Sequence, residues 1–212
     1  IVSIGSGISM GYLGNSHFGL EDISIISSIP NVPIICPADT TQVYEAVRFL
    51  SPYCGPAYLR LTGVAGEETV YESPVNVELG GSNTIHQGED VLVLSYGSTL
   101  QRCKVVVETL SSGLKNPIHL EDVYSLNPIS PKVYELINRF TSIMIVEEHR
   151  RTGGLFSILS QYISINGLSR NLVHVSLPDS FLISGSYEEL TEHYGLDVHG
   201  ISERLSQLLS EL

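Results

Sequence analysis

What most constrains this chain is the order of four short segments. A glycine-rich loop, Gly11-Tyr-Leu-Gly-Asn-Ser-His17-Phe-Gly-Leu-Glu21-Asp22, is followed by Ile29-Pro-Asn31, Pro37-Ala-Asp39 and Gly55-Pro-Ala-Tyr-Leu-Arg60. The loop delivers a histidine just ahead of an apolar helical stretch. Ile1 to Ile4, Ile34 to Cys36 and Ala57 to Leu61 are β-rich apolar runs, as expected for strands of a mainly parallel sheet. Between them, Leu20, Ile23 and Ile26 recur at helical spacing until Pro30. Val43, Ala46, Val47 and Leu50 do the same after Asp39, a favourable N-cap. The result is a β-α-β-α-β unit. Such units present polar groups at strand ends, which makes His17 the leading functional candidate.

From 64 to 88 the pattern thins into Gly, Glu, Ser and Asn, with only short strands expected. This stretch reads as a linker between one domain over 1–63 and a second over 89–212. In the second, expected strands at 91–94, 118–120, 143–146 and 173–176 alternate with helices at 99–110, 132–138 and 154–165. Two short helices, 188–194 and 199–209, close the chain. The expected fold is α/β: two doubly wound, mainly parallel-sheet units, the first incomplete. Ile1-Val-Ser-Ile4 enters a sheet at its middle, so a fragment or one half of a split protein is also expected.

A formal net charge of −12 with 11 Lys and Arg scattered along the chain argues against a nucleic-acid partner. Cys36, Cys54 and Cys103 show no Cys-x-x-Cys spacing and read as free thiols of a reducing cytosol. No apolar run approaches the roughly 18 residues of a membrane span, and no signal-peptide pattern is visible, so a cytoplasmic protein without membrane attachment is expected. The seven histidines are dispersed, and no metal site is expected.

Gly5-Ser-Gly7-Ile-Ser-Met-Gly11 follows a strand like a dinucleotide fingerprint, but its third glycine falls one residue too far on and no helix begins there. A flexible active-site loop is the better reading. Glu21 and Asp22 fall in a first helical turn, where the helix dipole favours carboxylates, and carry no assigned chemistry. Arg60, inside an apolar strand, needs a partner if buried; a structural ion pair and a strand-end place near a site both remain open. Glu147, Glu148 and His149 follow a strand and precede Gly153-Gly154 at a helix start, which is ligand-binding geometry in α/β proteins.

Taken in order, Gly-x-Ser-His, Glu-Asp, Ile-Pro-Asn, Pro-Ala-Asp and Gly-Pro-x-Tyr-x-Arg resemble the second half of the pyrimidine-binding domain of the transketolase family, which includes deoxyxylulose-phosphate synthase. The rest is similar to that family's C-terminal domain, through Glu147-Glu-His149 with Gly153-Gly154 and the closing Leu177-Pro-Asp179, Gly185-Ser186, Glu188-Glu-Leu190, Tyr194-Gly-Leu-Asp197 and Gly200-Ile201. Because that domain contributes mainly to packing and the subunit interface, the resemblance implies a structural role for Glu147, Glu148 and His149 ahead of ligand binding. The resemblance implies a two-carbon ketol transferase using thiamine diphosphate and Mg²⁺, with His17 catalytic and substrate-binding and Asn15 a second substrate contact. It also implies an N-terminal partner subunit or domain, since the family's Gly-Asp-Gly motif and activating glutamate are absent here, and a dimer or other homo- or hetero-oligomer. Alone, the chain is expected to be inactive. A non-catalytic assembly module and a deoxyxylulose-phosphate synthase-like enzyme are the rival readings. The place of the family's phosphate-gripping arginine falls on Gly63, and an acidic residue four positions before the motif histidine is replaced by Leu13. A substrate other than a standard pentose phosphate follows from that resemblance.

Overall fold

The computed structural model describes residues 1–63, 69–113, 115 and 117–212. The first part contains strand β1 (Val2–Ser3), a 3-10 turn (Gly11–Ser16), helix α1 (Asp22–Ser27), β2 (Ile34–Ile35), α2 (Thr40–Leu50) and β3 (Tyr58–Arg60). Then come β4 (Asn83–His86), β5 (Val91–Ser95), α3 (Thr99–Ser111), β6 (His119–Asp122), β7 (Ser125–Asn127), α4 (Pro131–Arg139), β8 (Ser142–Arg150), α5 (Leu155–Ile165), β9 (Asn171–Leu177), α6 (Tyr187–His193) and α7 (Val198–Ser210).

Two mostly parallel sheets form, in the orders β1-β3-β2-β7 and β4-β6-β5-β8-β9, so the α/β expectation holds. In the larger sheet β5 sits between parallel β6 and β8. Its five residues are all buried, which is why Val-Leu-Val-Leu-Ser shows no polar alternation. Val91 and Val93 pack with Leu100, Val107 and Leu205 on one face, while Leu92 and Leu94 pack with Val133, Ile137 and Leu159 on the other. Helices therefore cover both sides.

Helix starts follow local chemistry. Asp39 accepts from the Gln42 amide at 2.8 Å and caps α2. Pro131 occupies the first position of α4, where its missing N–H costs nothing. Ser186 and Glu189 form a reciprocal capping box on α6.

Three differences from the sequence reading matter. Strand β8 runs to Arg150, so Glu147, Glu148 and His149 lie inside the strand rather than after it. A β-bulge-type register shift between Val146 and Arg150 accompanies this extension. Strand β7 is absent from the sequence reading; it pairs antiparallel with β2 and thereby joins the smaller sheet, although it follows three strands of the larger one in the chain. Finally, β4, a short strand of the kind expected in the 64–88 stretch, pairs with β6 and so is part of the larger sheet. The 64–68 part of that stretch lies outside the described residues.

Candidate functional site

His17 ends the 3-10 turn, its amide bonded to the Gly14 carbonyl at 2.9 Å. Gly14 adopts φ 69°, a conformation that lets the turn bend there without a Cβ penalty. Immediately afterwards Phe18 is buried, and Gly19 exchanges backbone bonds with Gly7 at 2.8 and 3.0 Å. The imidazole itself is exposed, and its Nδ1 lies 3.0 Å from Ser16 Oγ. Its Nε2 makes no hydrogen bond among the described residues. Asn15 does not share this freedom: its amide N donates to the Leu182 carbonyl at 2.6 Å and its Oδ1 accepts from the Leu182 amide at 2.8 Å. Asn15 therefore ties the His17 turn to the chain after β9.

The glycine loop before this turn is pinned rather than flexible. The amides of Gly5, Ser6 and Gly7 donate to the carbonyls of Thr62, Leu61 and Gly19. The Ile8 amide donates to Glu148 Oε1 at 2.7 Å. A phosphate cradle needs free amides aimed at the anion, and these are spent.

Beyond β5 and β8 the topology changes direction, since β6 is laid down on one side of β5 and β8 on the other. Ligands commonly enter such a crevice. Here two buried carboxylates fill it. Glu147 accepts from the Leu155 and Phe156 amides at 2.8 and 3.1 Å, occupying the positive end of α5 as an anion does. Tyr96 O–H (2.9 Å) and His174 Nε2 (2.9 Å) complete its shell. Burial alone raises its pKa, but the bond from His174 and its other partners more than offset this, and it is held below the usual carboxylate range. Gly154 is required for the close approach, because a Cβ there lies 2.3 Å from Glu147 Oε2.

Glu148 points the other way. It accepts from Ile8 N, from Ser98 Oγ at 2.9 Å and from Tyr187 O–H at 2.7 Å, with the Arg102 guanidinium 3.6 Å away. Gly7, at φ 66°, has room for no Cβ, which falls 2.0 Å from the same carboxylate. Glu148 thus locks the first unit's loop onto α3 and α6. A structural role for the Glu-Glu-His motif is expected from the resemblance, but its partners are not nameable from the sequence, because no local pattern announces donors 140, 50 and 39 residues away.

Arg60 resolves to the structural ion pair. It is buried, donates to Asp22 Oδ2 at 2.8 Å, and reaches the carbonyls of Gly19 (3.0 Å) and Glu148 (3.1 Å). Tyr58 O–H also donates to Asp22, at 2.9 Å. Glu21 pairs with Arg150. Both carboxylates of the first turn of α1 are therefore used in holding β3 and β8 to that helix. Gly63 adopts φ +86°, with Ile4 Cγ1 3.1 Å from the place of a Cβ, so a side chain is strained there. Leu13 is exposed beside the histidine turn.

A third buried carboxylate, Asp122, also joins the two units. Its Oδ2 accepts from Tyr71 O–H at 2.5 Å and Gln42 Nε2 at 2.7 Å, while Oδ1 is buried without a partner. Burial pushes this carboxyl up to about 7 from an ordinary 3.8, against the pull of both donors. Gln42 carries a readable signal, as a polar residue one position from the apolar stripe of α2; Tyr71 and Asp122 carry none. Because the folded form holds the proton more tightly than the unfolded one, Asp122's contribution is complete below about pH 4 and is lost as pH rises through about 7. Urea unfolding from pH 4 to 8 should show the wild type losing on the order of a few kcal/mol relative to Asp122→Asn. Parallel stability profiles for the two proteins would contradict this.

Among the described residues no group of three or more His, Cys, Asp or Glu side chains is gathered to hold a metal. Nor is any helix long and apolar enough to cross a membrane. All three cysteines are free thiols, Cys36 and Cys103 buried and Cys54 exposed.

Residues 80–201 match the family model of the transketolase C-terminal domain. The chain is 30% identical over 204 residues to one of the subunits of an apulose-4-phosphate transketolase of Phocaeicola vulgatus, covering 95% of this chain and 64% of that protein. It is 29% identical over 208 residues to a 1-deoxy-D-xylulose-5-phosphate synthase of Dictyoglomus turgidum, covering 94% of this chain and 32% of that one. A solved split-gene transketolase, described as an inactive beta4 tetramer, superposes with a TM-score of 0.83 at 25% identity over 99% of this chain and 66% of that one. The chain thus spans less than two thirds of the length of these two sequence relatives.

Proposed function

Since the chain belongs to the transketolase C-terminal domain family, we propose that it serves as the C-terminal subunit or section of a transketolase-type enzyme that transfers a two-carbon ketol unit with thiamine diphosphate. In this reading residues 1–63 are half of a pyrimidine-binding domain, 89–212 are the C-terminal domain, and an N-terminal partner supplies the rest. The observation that carries it is the presentation of His17: a turn pinned by Asn15 and followed by the anchored Gly7–Gly19 pair holds out an imidazole whose Nε2 is unspent.

The residues of this chain do not fit the cofactor's diphosphate and Mg²⁺, because the loop amides are bonded internally and no metal cluster exists among the described residues. Those parts are assigned to the partner. When bound there, the cofactor supplies an electron sink for carbon–carbon cleavage. His17 hydrogen-bonds a substrate oxygen through Nε2 and carries a proton to or from it, while Ser16 steadies Nδ1. The φ of Gly63 and the apolar Leu13 support a substrate other than a standard pentose phosphate.

Mixing the chain with its N-terminal partner, thiamine diphosphate and Mg²⁺ tests the reading. Ketol transfer is expected only in the mixture and from neither chain alone. A stable, cofactor-loaded complex without turnover points instead to an assembly module. Formation of deoxyxylulose phosphate from pyruvate and glyceraldehyde phosphate in the same mixture places the enzyme with the synthases.

A further inference from the structure

The chain has eight arginines, at 48, 60, 102, 139, 150, 151, 170 and 204. Six donate to a carboxylate, a carbonyl or a hydroxyl: Arg48 to Glu45, Arg60 to Asp22, Arg102 to Tyr187, Arg139 to Gly88, Arg150 to Glu21 and Arg170 to Ile137. The guanidiniums of the other two, Arg151 and Arg204, meet no partner among the described residues. Both line one pocket of about 410 Å³, together with His174, Ser176, His193 and Tyr194. Both arginines are exposed, and in a chain of net charge −12 they set two positive charges at the rim of one cavity.

The pocket lies beside β9 and the residues just after β8, on the first turns of α7. That is the carboxyl edge of the sheet, where α/β folds place ligands. Its volume is in the range of small-molecule sites. His174 is held rigidly at its wall, stacked on Phe156 at 4.1 Å with Nε2 on Glu147. One carboxylate, Glu203, also lines the pocket, 3.3 Å from His199 Nε2.

We propose that this pocket binds a small phosphomonoester, with Arg151 and Arg204 gripping the phosphate and the His193, Tyr194 and Ser176 side facing the rest of the ligand. Planar guanidiniums match phosphate oxygens in paired bonds, which a single lysine cannot. No residue of the His17 turn lines the pocket, and Tyr194 Oη accepts from the Ile183 amide at 3.1 Å, next to the Leu182 that holds Asn15.

Amide NMR of the chain, titrated with inorganic phosphate and separately with glycerol phosphate at constant ionic strength, tests this. Saturable shifts centred on Gly195 and Gly200 are expected, with the ester bound at least as tightly as phosphate. The double substitution Arg151→Gln/Arg204→Gln should weaken binding by at least about tenfold, the loss expected for charge-assisted bonds. Arg48→Gln/Lys115→Gln, the same change in charge elsewhere, should leave it unaltered. The proposal fails if chloride reproduces the shifts, if they centre elsewhere, if succinate binds better than phosphate, or if the double variant binds as tightly. Localisation in the wild-type protein decides the matter even if the variant does not fold.

Discussion

Glu148→Ala is expected to lower stability by about 3–5 kcal/mol in urea unfolding, the range for breaking a buried charged network by removing one member. The size follows from what is left behind. Ile8 N–H, Ser98 O–H and Tyr187 O–H lose their acceptor, and the Arg102 guanidinium loses its nearby carboxylate. Each stranded donor keeps its desolvation penalty without its bond. Glu148→Gln keeps the shape and one acceptor and should cost roughly 1–3 kcal/mol. Hydrogen exchange gives the structural signature: the Gly7 and Ile8 amides should lose protection in the alanine variant before the β5 amides do. A wild-type urea midpoint for Glu148→Ala would remove the carboxylate from its place as the fastener between the two units.

His17→Ala is expected to leave stability within about 0.5 kcal/mol, since the ring is exposed and, among the described residues, bonded only to its neighbour Ser16. In the enzyme reconstituted with its N-terminal partner the same change should lower kcat about 10²–10⁴-fold, the usual reach of a positioned acid–base group. His17→Gln places an amide nitrogen near the position of Nε2 and should recover hydrogen bonding but not proton transfer. It is therefore expected to restore KM more than kcat. Unchanged turnover in His17→Ala would take the histidine out of the reaction and leave the chain a supporting wall. The contrast between the two substitutions is itself informative, because the damaging one for folding is buried between the units and the damaging one for chemistry is exposed.

The helices are legible in the sequence because their causes are short-ranged. An Asp39 cap and a stripe of Val43, Ala46, Val47 and Leu50 point to a helix over 40–50, and α2 occupies those residues. Strand existence is legible for the same reason, but strand length is not. Nothing in Val146-Glu-Glu-His149 suggests that three ionisable residues continue β8; they do so because Tyr96, Ser98, His174 and the α5 amides are brought to them from elsewhere. Likewise β7 has no local advertisement, and it belongs to the smaller sheet only because β2 offers it an edge.

Among site residues, His17 is visible from its loop. Asn15 reads from the resemblance as a substrate contact, whereas both ends of its amide are engaged with Leu182, 167 residues away. Arg60 shows its need for a partner without the partner being nameable.

By itself, the sequence determined the periodicities, the caps, the glycine-rich turn carrying His17 and hence the α/β class, all of which depend on residues within a few positions of one another. Tertiary structure alone decided that Glu147 caps α5, that Glu148 seizes the loop at Ile8, that Asp122 is buried against Tyr71 and Gln42, and that Arg151 and Arg204 face one cavity. The reason is physical: a buried or concave polar site is defined by which remote groups converge on it and how much water they exclude, and neither quantity is written in the spacing of neighbouring residues.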